Sequence, residues 1–124
     1  MPRKDMSHIK IYHNPKCSNS RNALALIREH GHEPNVVLYL DTPPTRLELQ
    51  DIIQATGDSA RALMRSKETV YGQLGLDNPS LSEDALIDAM LAHPILMNRP
   101  IVVTHIGTRL CRPPELVLEI LPER

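Results

Sequence analysis

Residues 8–31 have the sequence HIKIYHNPKCSNSRNALALIREHG, and this stretch decides the fold class. Apolar and polar residues alternate over positions 8–12, a pattern that predicts a β-strand. The polar turn that follows leads into apolar residues with helical spacing at positions 23–27, and Gly31 is well placed to end that helix. We therefore predict a strand, a turn and a helix that begins between positions 17 and 20.

Three further strands are expected. The continuous apolar run NVVLYL at positions 35–40 is typical of a strand that is covered on both faces. A strand–helix–strand unit of this kind places its two strands in parallel. Positions 101–104 form another apolar run, and the turn at 106–108 predicts an antiparallel hairpin with positions 109–111. Together these segments predict an α/β protein with a mixed four-stranded sheet flanked by helices.

A helical segment separates the second strand from the third. Thr45 and Glu48 have the spacing of a capping box, so we expect a helix to start there and to end at Gly57. Leu47 is expected among the inward-facing residues of that helix. Ser82 is in position to cap a later helix. The chain therefore has a helical insertion between the two halves of its sheet.

Length and composition limit the kind of protein this can be. The 124 residues suit a single domain over 1–124, and 41% apolar with 23% charged residues is ordinary for a folded globular chain. No apolar run approaches the roughly 20 residues that a membrane helix needs. Residues 1–7 are charged and lack the apolar stretch of a secretion signal, so we expect a cytoplasmic protein with no membrane partner.

The distribution of charge and cysteine restricts the partners further. The net charge of -1 and the lack of Phe and Trp argue against a nucleic-acid partner. Two cysteines are too few for a disulfide framework or a Cys-built zinc site. Acidic residues are absent from positions 6–28 and 89–114, although both windows contain basic residues. If the fold joins these two windows, they are suited to hold a small anion.

Cys17 is the most informative residue, because it follows a predicted strand and stands at the start of a predicted helix. Unpaired backbone N–H groups and the helix dipole concentrate positive potential there, which stabilises a thiolate and lowers the thiol pKa. His13, Lys16 and Arg21 are close in sequence and can strengthen this effect. The flanking residues are polar. We therefore interpret Cys17 as a reactive thiol rather than a buried structural one.

The spacing around Cys17 excludes two classes of thiol enzyme. A dithiol oxidoreductase of the C-x-x-C type has its second cysteine where this chain has Ser20. A low-molecular-weight phosphatase loop of the C-x5-R type has arginine where this chain has Ala23. Cys17 is therefore a monothiol locally. We interpret Cys111, in a predicted strand, as a small packing residue, with a role as internal resolving thiol as the alternative.

Three arginines are candidate anion ligands. Arg99 and Arg112 each precede a proline at the edge of a predicted strand, and Arg65 ends a short predicted helix. A guanidinium group pairs with a tetrahedral oxyanion through two donors, and binding sites are commonly built at loop edges. Each arginine alone is more typical of a surface charge, so the hypothesis depends on the three together.

Residues 12–21, YHNPKCSNSR, resemble the active-site segment of the glutaredoxin-dependent arsenate reductases. Further matching segments are LYL at 38–40, TPP at 42–44, RALMR at 61–65, NRPIVV at 98–103 and GTRLCRP at 107–113. The similarity extends over nearly the whole chain. It implies a thioredoxin-like fold with a helical insertion, and the reduction of arsenate to arsenite.

The resemblance also implies the thiol chemistry. Cys17 matches the nucleophile that attacks arsenate, and His13 matches the histidine near that thiol. The family resolves the adduct with glutathione and glutaredoxin rather than with a second cysteine of the enzyme, which agrees with Ser20. Ser20 and Arg21 belong to the same motif as supporting residues. No metal and no bound organic cofactor is implied, and glutathione acts as a co-substrate.

The resemblance further implies the oxyanion site. Arg65, Arg99 and Arg112 match the three arginines that hold the arsenic oxyanion. Pro100 matches the proline that thioredoxin-like folds keep in cis beside the active site. The expected partners are therefore arsenate or a similar oxyanion, glutathione and glutaredoxin.

Two other functions remain open at this point. Several characterised arsenate reductases continue past the last helix, whereas this chain stops at Arg124, and shorter relatives share the thiol motif without clear arsenate activity. The first alternative is a glutathione-linked thiol oxidoreductase of the same family without arsenate activity. The second is a non-enzymatic thioredoxin-like regulator that docks a protein partner.

Overall fold

The computed structural model describes residues 8–123. Residues 1–7, in which we identified no secretion signal, lie outside the described part of the chain. The chain divides into two compact units. The first runs to Tyr39 and resumes at Arg99, and the second is Leu40–Asn98. The expectation that residues 1–124 form one domain stays a prediction.

The first unit contains a four-stranded sheet in the order β2-β1-β3-β4. Strand β1 (Lys10–His13) pairs in parallel with β2 (Asn35–Leu38) and antiparallel with β3 (Ile101–Val103). Strand β4 (Thr108–Leu110) pairs antiparallel with β3. The second unit is the helical insertion. This arrangement confirms the predicted thioredoxin-like α/β class with its mixed sheet.

The expectation for β2 was wrong in one respect. The apolar run at 35–40 predicted a strand covered on both faces, but β2 ends at Leu38 and its residues are half-buried or exposed. β2 lies at the edge of the sheet, where packed elements cover the two faces of a strand less completely than at the centre. Apolar content does not reveal whether a strand is central or at an edge.

Helix α1 (Ser18–Glu29) begins and ends where the sequence predicts. Cys17 is its N-cap and has extended backbone angles, with φ -99° and ψ 124°. At the other end Gly31 adopts a φ of 87°, in the left-handed region that favours glycine, and its N–H donates to the Arg28 carbonyl at 3.0 Å. The turn and the helix together therefore place Cys17 just beyond the end of β1.

One apolar cluster joins α1 to the sheet within the first unit. Ile11 of β1 and Val102 of β3 are register partners, and both are fully buried. Ala23 and Ile27 of α1 belong to the same cluster, and so does Val117 of the 3-10 helix that follows β4. Burial of the isoleucine and valine side chains of this cluster contributes roughly 1.5–3 kcal/mol each. The cluster therefore packs α1 against β1 and β3.

The second unit is helical, with α2 (Arg46–Thr56), α3 (Thr69–Gln73) and α4 (Glu83–Ala92). Ser82 caps α4 as predicted, since its hydroxyl accepts from the Ala85 N–H at 3.1 Å. Arg46 of α2 forms ion pairs with Asp84 and Asp88 of α4. Within residues 8–123, no helix has the length and apolar character needed to cross a membrane.

The predicted capping box of α2 is present. The Glu48 N–H donates to Thr45 Oγ1 at 3.2 Å, and the Thr45 N–H donates to Glu48 Oε1 at 2.9 Å. Leu47 does not face inward as expected, because 66% of its surface is exposed. It lies about 200° around the helix from Leu49, which is buried with Ile52. Leu47 therefore falls on the opposite face.

We predict that Thr45→Ala destabilises the protein by about 1 kcal/mol, because the Glu48 N–H at the start of α2 loses its side-chain acceptor. Urea denaturation followed by circular dichroism measures the change. Thr42→Ala is the matched control, since Thr42 is also an exposed threonine near this end of α2 and is not its cap. Equal stability of the two variants would contradict the role of the box.

Candidate functional site

The Cys17 thiol is partly exposed at the first turn of α1. Its own N–H donates to the Asn14 carbonyl at 3.0 Å, which closes the turn after β1. The backbone N–H groups of Asn19 and Ser20 lower the pKa of this thiol, although the Cys17 side chain forms no capping hydrogen bond at the start of the helix. The sulfur thus faces the unpaired N–H groups of the helix, as the sequence predicts.

Opposing effects set the pKa of Cys17. Burial raises it, but the N–H donors of the Ser20 backbone, the Arg99 side chain, the Asn19 backbone and the Arg112 side chain all lower it. The net result is a pKa below the ordinary value for a thiol. The thiolate, which is the nucleophilic form, is therefore favoured near neutral pH.

Arg112 is one of the two arginines that the fold brings to Cys17. Its Nη1 lies 3.8 Å from Cys17 Sγ and donates to the Arg99 carbonyl at 2.9 Å. Arg112 follows β4 by two residues, which places it at the same end of the sheet as the start of β3. The guanidinium therefore connects the reactive sulfur to the backbone that carries Arg99.

Arg99 is the second arginine at the thiol, and its residue as a whole is only 9% exposed. Its side chain donates to the Cys17 sulfur. The Arg99–Pro100 peptide bond is cis, as the resemblance implies, and the Arg112–Pro113 bond is cis as well. Two guanidinium groups and one thiolate thus come together within the first unit, which joins the two acid-free windows of the sequence.

Arg65 lies in the second unit, directly after the 3-10 helix Arg61–Leu63 and its cap. Its Nε donates to Glu68 Oε2 at 3.1 Å, and both side chains are about three-quarters buried, with 22% and 26% of their surfaces exposed. Its N–H donates to the Leu96 carbonyl at 2.7 Å. The assignment of Arg65 as a third oxyanion ligand stays a prediction.

His13 is held by Ser20. Its Nδ1 lies 2.6 Å from Ser20 Oγ, and the Asn14 N–H donates to the same oxygen at 3.1 Å. Burial, with smaller contributions from Arg28 and Arg21, lowers the pKa of His13. The ring is therefore neutral near pH 7, so it adds no positive charge beside the thiol and instead orders the turn through Ser20.

Arg21 supports the turn from outside. Its Nη1 donates to the Pro15 carbonyl at 2.9 Å, and its backbone N–H donates to the Cys17 carbonyl at 3.0 Å. The Lys16 N–H donates to Asn14 Oδ1 at 3.0 Å. Side chain and backbone together therefore fix the turn that carries Cys17.

Two residues near the thiol were missed by the sequence analysis. Asn14 takes part in three hydrogen bonds of the turn, as the acceptor from the Cys17 and Lys16 N–H groups and as the donor to Ser20. Tyr39 is hydrogen-bonded to the side chains of Asn14 and Arg99. Burial raises the pKa of Tyr39. A tyrosine inside the apolar run NVVLYL was the available signal, because a buried phenol hydroxyl needs a polar partner.

Cys111 is a buried packing residue, as the sequence interpretation favours. It is fully buried as a free thiol, and burial raises its pKa to about 12. Its Sγ contacts the Arg109 carbonyl at 3.7 Å. Such a thiol is not ionised near neutral pH. Among residues 8–123, no group of three or more His, Cys, Asp or Glu side chains could hold a metal ion.

Comparisons with known proteins show relatives that match nearly the whole chain. The model of the ArsC family matches residues 12–120. The arsenate reductase of Escherichia coli K12 is 58% identical over 95% of this chain and 84% of its own length. The arsenate reductase of Rhizobium meliloti is 56% identical over 93% of this chain and 82% of its own length.

Solved structures include a similar fold. The structure of an arsenate reductase from Vibrio cholerae superposes with a TM-score of 0.89 at 50% identity. The match covers 93% of this chain and 98% of that one. The matched part of this chain is thus nearly the whole of the Vibrio structure.

We predict that iodoacetamide at pH 7 alkylates Cys17 and leaves Cys111 unmodified in the folded protein. The first thiol is partly exposed with a lowered pKa, and the second is buried with a raised one. Mass spectrometry of the digested protein locates the label, and Cys17→Ser is the control that should remain unlabelled. Labelling of Cys111 at a similar rate would contradict the described burial.

Arg112→Ala is expected to raise the pKa of Cys17, because one donor that stabilises the thiolate is removed. Alkylation rates measured from pH 5 to pH 9 give this value, and the midpoint of the curve should move to higher pH. Arg109→Ala is the matched control, since Arg109 is exposed and paired with Glu119. An unchanged midpoint in Arg112→Ala would contradict the contact.

Proposed function

This chain belongs to the ArsC family, and we propose that it reduces arsenate to arsenite through a covalent adduct on the Cys17 sulfur. The observation that carries the mechanism is the guanidinium of Arg112 at 3.8 Å from a thiol with a lowered pKa. A thiolate and a cation in contact provide the nucleophile and the attraction for an oxyanion in one place.

Arsenate binding is assigned to the arginines. Arg99 and Arg112 present two guanidinium groups beside the sulfur, and each can pair with two oxygens of a tetrahedral dianion. Arg65 is the third ligand in this proposal. An arsenate oxygen would compete with Glu68 for the Arg65 Nε. Arsenate binding would therefore replace the Glu68 carboxylate by an arsenate oxygen as the acceptor.

The first chemical step forms an S–As bond. The Cys17 thiolate attacks arsenic, one As–O bond breaks, and that oxygen takes up a proton and leaves as water. Arsenic stays pentavalent in the adduct. The negative charge that develops on the remaining oxygens is stabilised by the guanidinium donors, which are already in place before the attack. His13, neutral near pH 7, keeps the turn in position through Ser20.

The two electrons come from thiols in solution. Glutathione attacks the adduct, glutaredoxin reduces the resulting mixed species, and arsenite is released with the Cys17 thiolate restored. The balance is one arsenate and two thiols giving one arsenite, one disulfide and one water. Burial of Cys111 supports an external resolving thiol, because a fully buried sulfur cannot reach a bound intermediate without local opening. A glutathione-rich compartment, the cytoplasm, is the proposed location.

We predict that purified protein with arsenate, glutathione and glutaredoxin produces arsenite, and that Cys17→Ser abolishes this production. Arsenite is quantified by chromatography with elemental detection. Cys111→Ala is the matched control and is expected to retain most of the activity, since it removes the other thiol of the chain. Loss of activity in both variants with both folded would contradict the monothiol mechanism.

The same assay separates the two other functions. Wild-type protein that reduces a glutathione mixed disulfide but yields no arsenite would be the glutathione-linked oxidoreductase, and added arsenate should then leave the rate of that reduction unchanged. Wild-type protein with no thiol turnover at all would favour the regulator. Omitting glutaredoxin and then glutathione identifies which reductant is required.

A further inference from the structure

Tyr39 is a buried tyrosine next to the site, and the chemistry proposed above does not use it. It directly follows β2, and Leu38, the last residue of β2, is the register partner of His13 in the parallel pair with β1. Tyr39 therefore comes opposite Asn14, one residue beyond the end of the ladder. It is fully buried, and a phenol hydroxyl in such surroundings needs a polar partner.

The Tyr39 side chain is hydrogen-bonded to Arg99. A guanidinium group has donors and no acceptor, so the phenol oxygen of Tyr39 accepts from Arg99. The same Arg99 side chain donates to the Cys17 sulfur. One guanidinium group thus joins the phenol oxygen to the reactive thiol.

The second partner of Tyr39 belongs to the turn that carries the thiol. Asn14 is 5% exposed, its carbonyl accepts the Cys17 N–H at 3.0 Å, and its N–H donates to Ser20 Oγ at 3.1 Å. The side chain of Asn14 is hydrogen-bonded to Tyr39. The Tyr39 hydroxyl therefore connects the Cys17 turn to the Arg99 side chain.

We propose that Tyr39 is a positioning residue whose hydroxyl holds the Arg99 guanidinium in the orientation that faces the Cys17 sulfur. Arginine has a long side chain with several rotatable bonds, and a second acceptor reduces the number of orientations it can adopt. The fixed guanidinium then stabilises the thiolate and is ready for an oxyanion. The oxyanion part rests on the proposed function, whereas the thiol part concerns Cys17 alone.

Tyr39→Phe tests this directly, because it keeps the ring and removes the hydroxyl. We expect the pKa of Cys17 to rise by about half a unit, as one donor becomes less well placed. The KM for arsenate should rise several-fold more than kcat falls. The pKa is followed by thiolate absorbance in the ultraviolet against pH. A folded Tyr39→Phe with an unchanged pKa and an unchanged KM would overturn the proposal.

The matched control is Tyr71→Phe in the second unit. The Tyr71 hydroxyl also accepts from an arginine, Arg61, whose Nη1 lies at 2.8 Å. Arg61 donates further to the Leu76 and Asn78 carbonyls rather than to a thiol. We expect this variant to leave the pKa of Cys17 unchanged, and a shift equal to that of Tyr39→Phe would count against a specific role for Tyr39.

A double-mutant cycle tests whether Tyr39 acts through Arg99. In the Arg99→Lys background, Tyr39→Phe is expected to cause no further rise in the pKa of Cys17, because the guanidinium it would release is gone. An equal rise in both backgrounds would overturn the proposed route through Arg99.

The pKa measurement needs no arsenate, so the two proposals fail separately. If wild-type protein makes no arsenite, the proposed function fails, and the comparison of thiol pKa values still decides the role of Tyr39. If Tyr39→Phe does not fold, 3-fluorotyrosine at position 39 keeps the hydroxyl but withdraws electron density from its oxygen. A smaller rise in the pKa of Cys17 is then expected, and no rise would overturn the proposal.

Discussion

The site depends on one short turn, in which the chain leaves β1 and enters α1 with the Cys17 sulfur at the unpaired N–H groups of the helix. Backbone donors at a helix N-terminus stabilise an anion without needing a charged side chain. The turn keeps this geometry because Asn14 closes it through its carbonyl and because buried Ser20 bonds to both Asn14 and His13. Without this turn the arginines would have no thiolate to stabilise.

Charge reaches the thiol from a distant part of the sequence through strand pairing. β1 is bonded to β3, and β3 to β4, so the second residue before β3 and the second residue after β4 come to the same end of the sheet as Cys17. These residues are Arg99 and Arg112. The desolvation of Cys17 opposes its ionisation, and the stabilising effect of four groups of N–H donors outweighs it. Two cations and two backbone N–H groups thus stabilise the Cys17 thiolate together.

Much of this arrangement was predictable from local patterns. The polar turn, the apolar spacing of α1 and Gly31 predicted where the helix begins and ends, and capping-box spacing predicted α2. The edge position of β2 was not predictable, because local sequence does not show whether the third strand pairs with β1 or with β2. The exposure of Leu47 was not predictable for a similar reason, because it depends on which face of α2 is buried in the fold. The resemblance implied the three arginines as oxyanion ligands. The hydrogen bonds of Asn14 and Tyr39 depend on side-chain geometry, which residue spacing does not reveal.

The burial of Cys111 affects how this protein recovers from oxidation of Cys17. A thiolate that is exposed and favoured near neutrality is also the sulfur that peroxide converts first to a sulfenic acid. Many redox proteins rescue that species by condensing it with a neighbouring thiol of their own. Here the other cysteine thiol of the chain is buried in the apolar cluster and stays protonated. A sulfenic acid on Cys17 must therefore be reduced by a thiol of another molecule. How long the protein stays active then depends on the supply of small thiols around it.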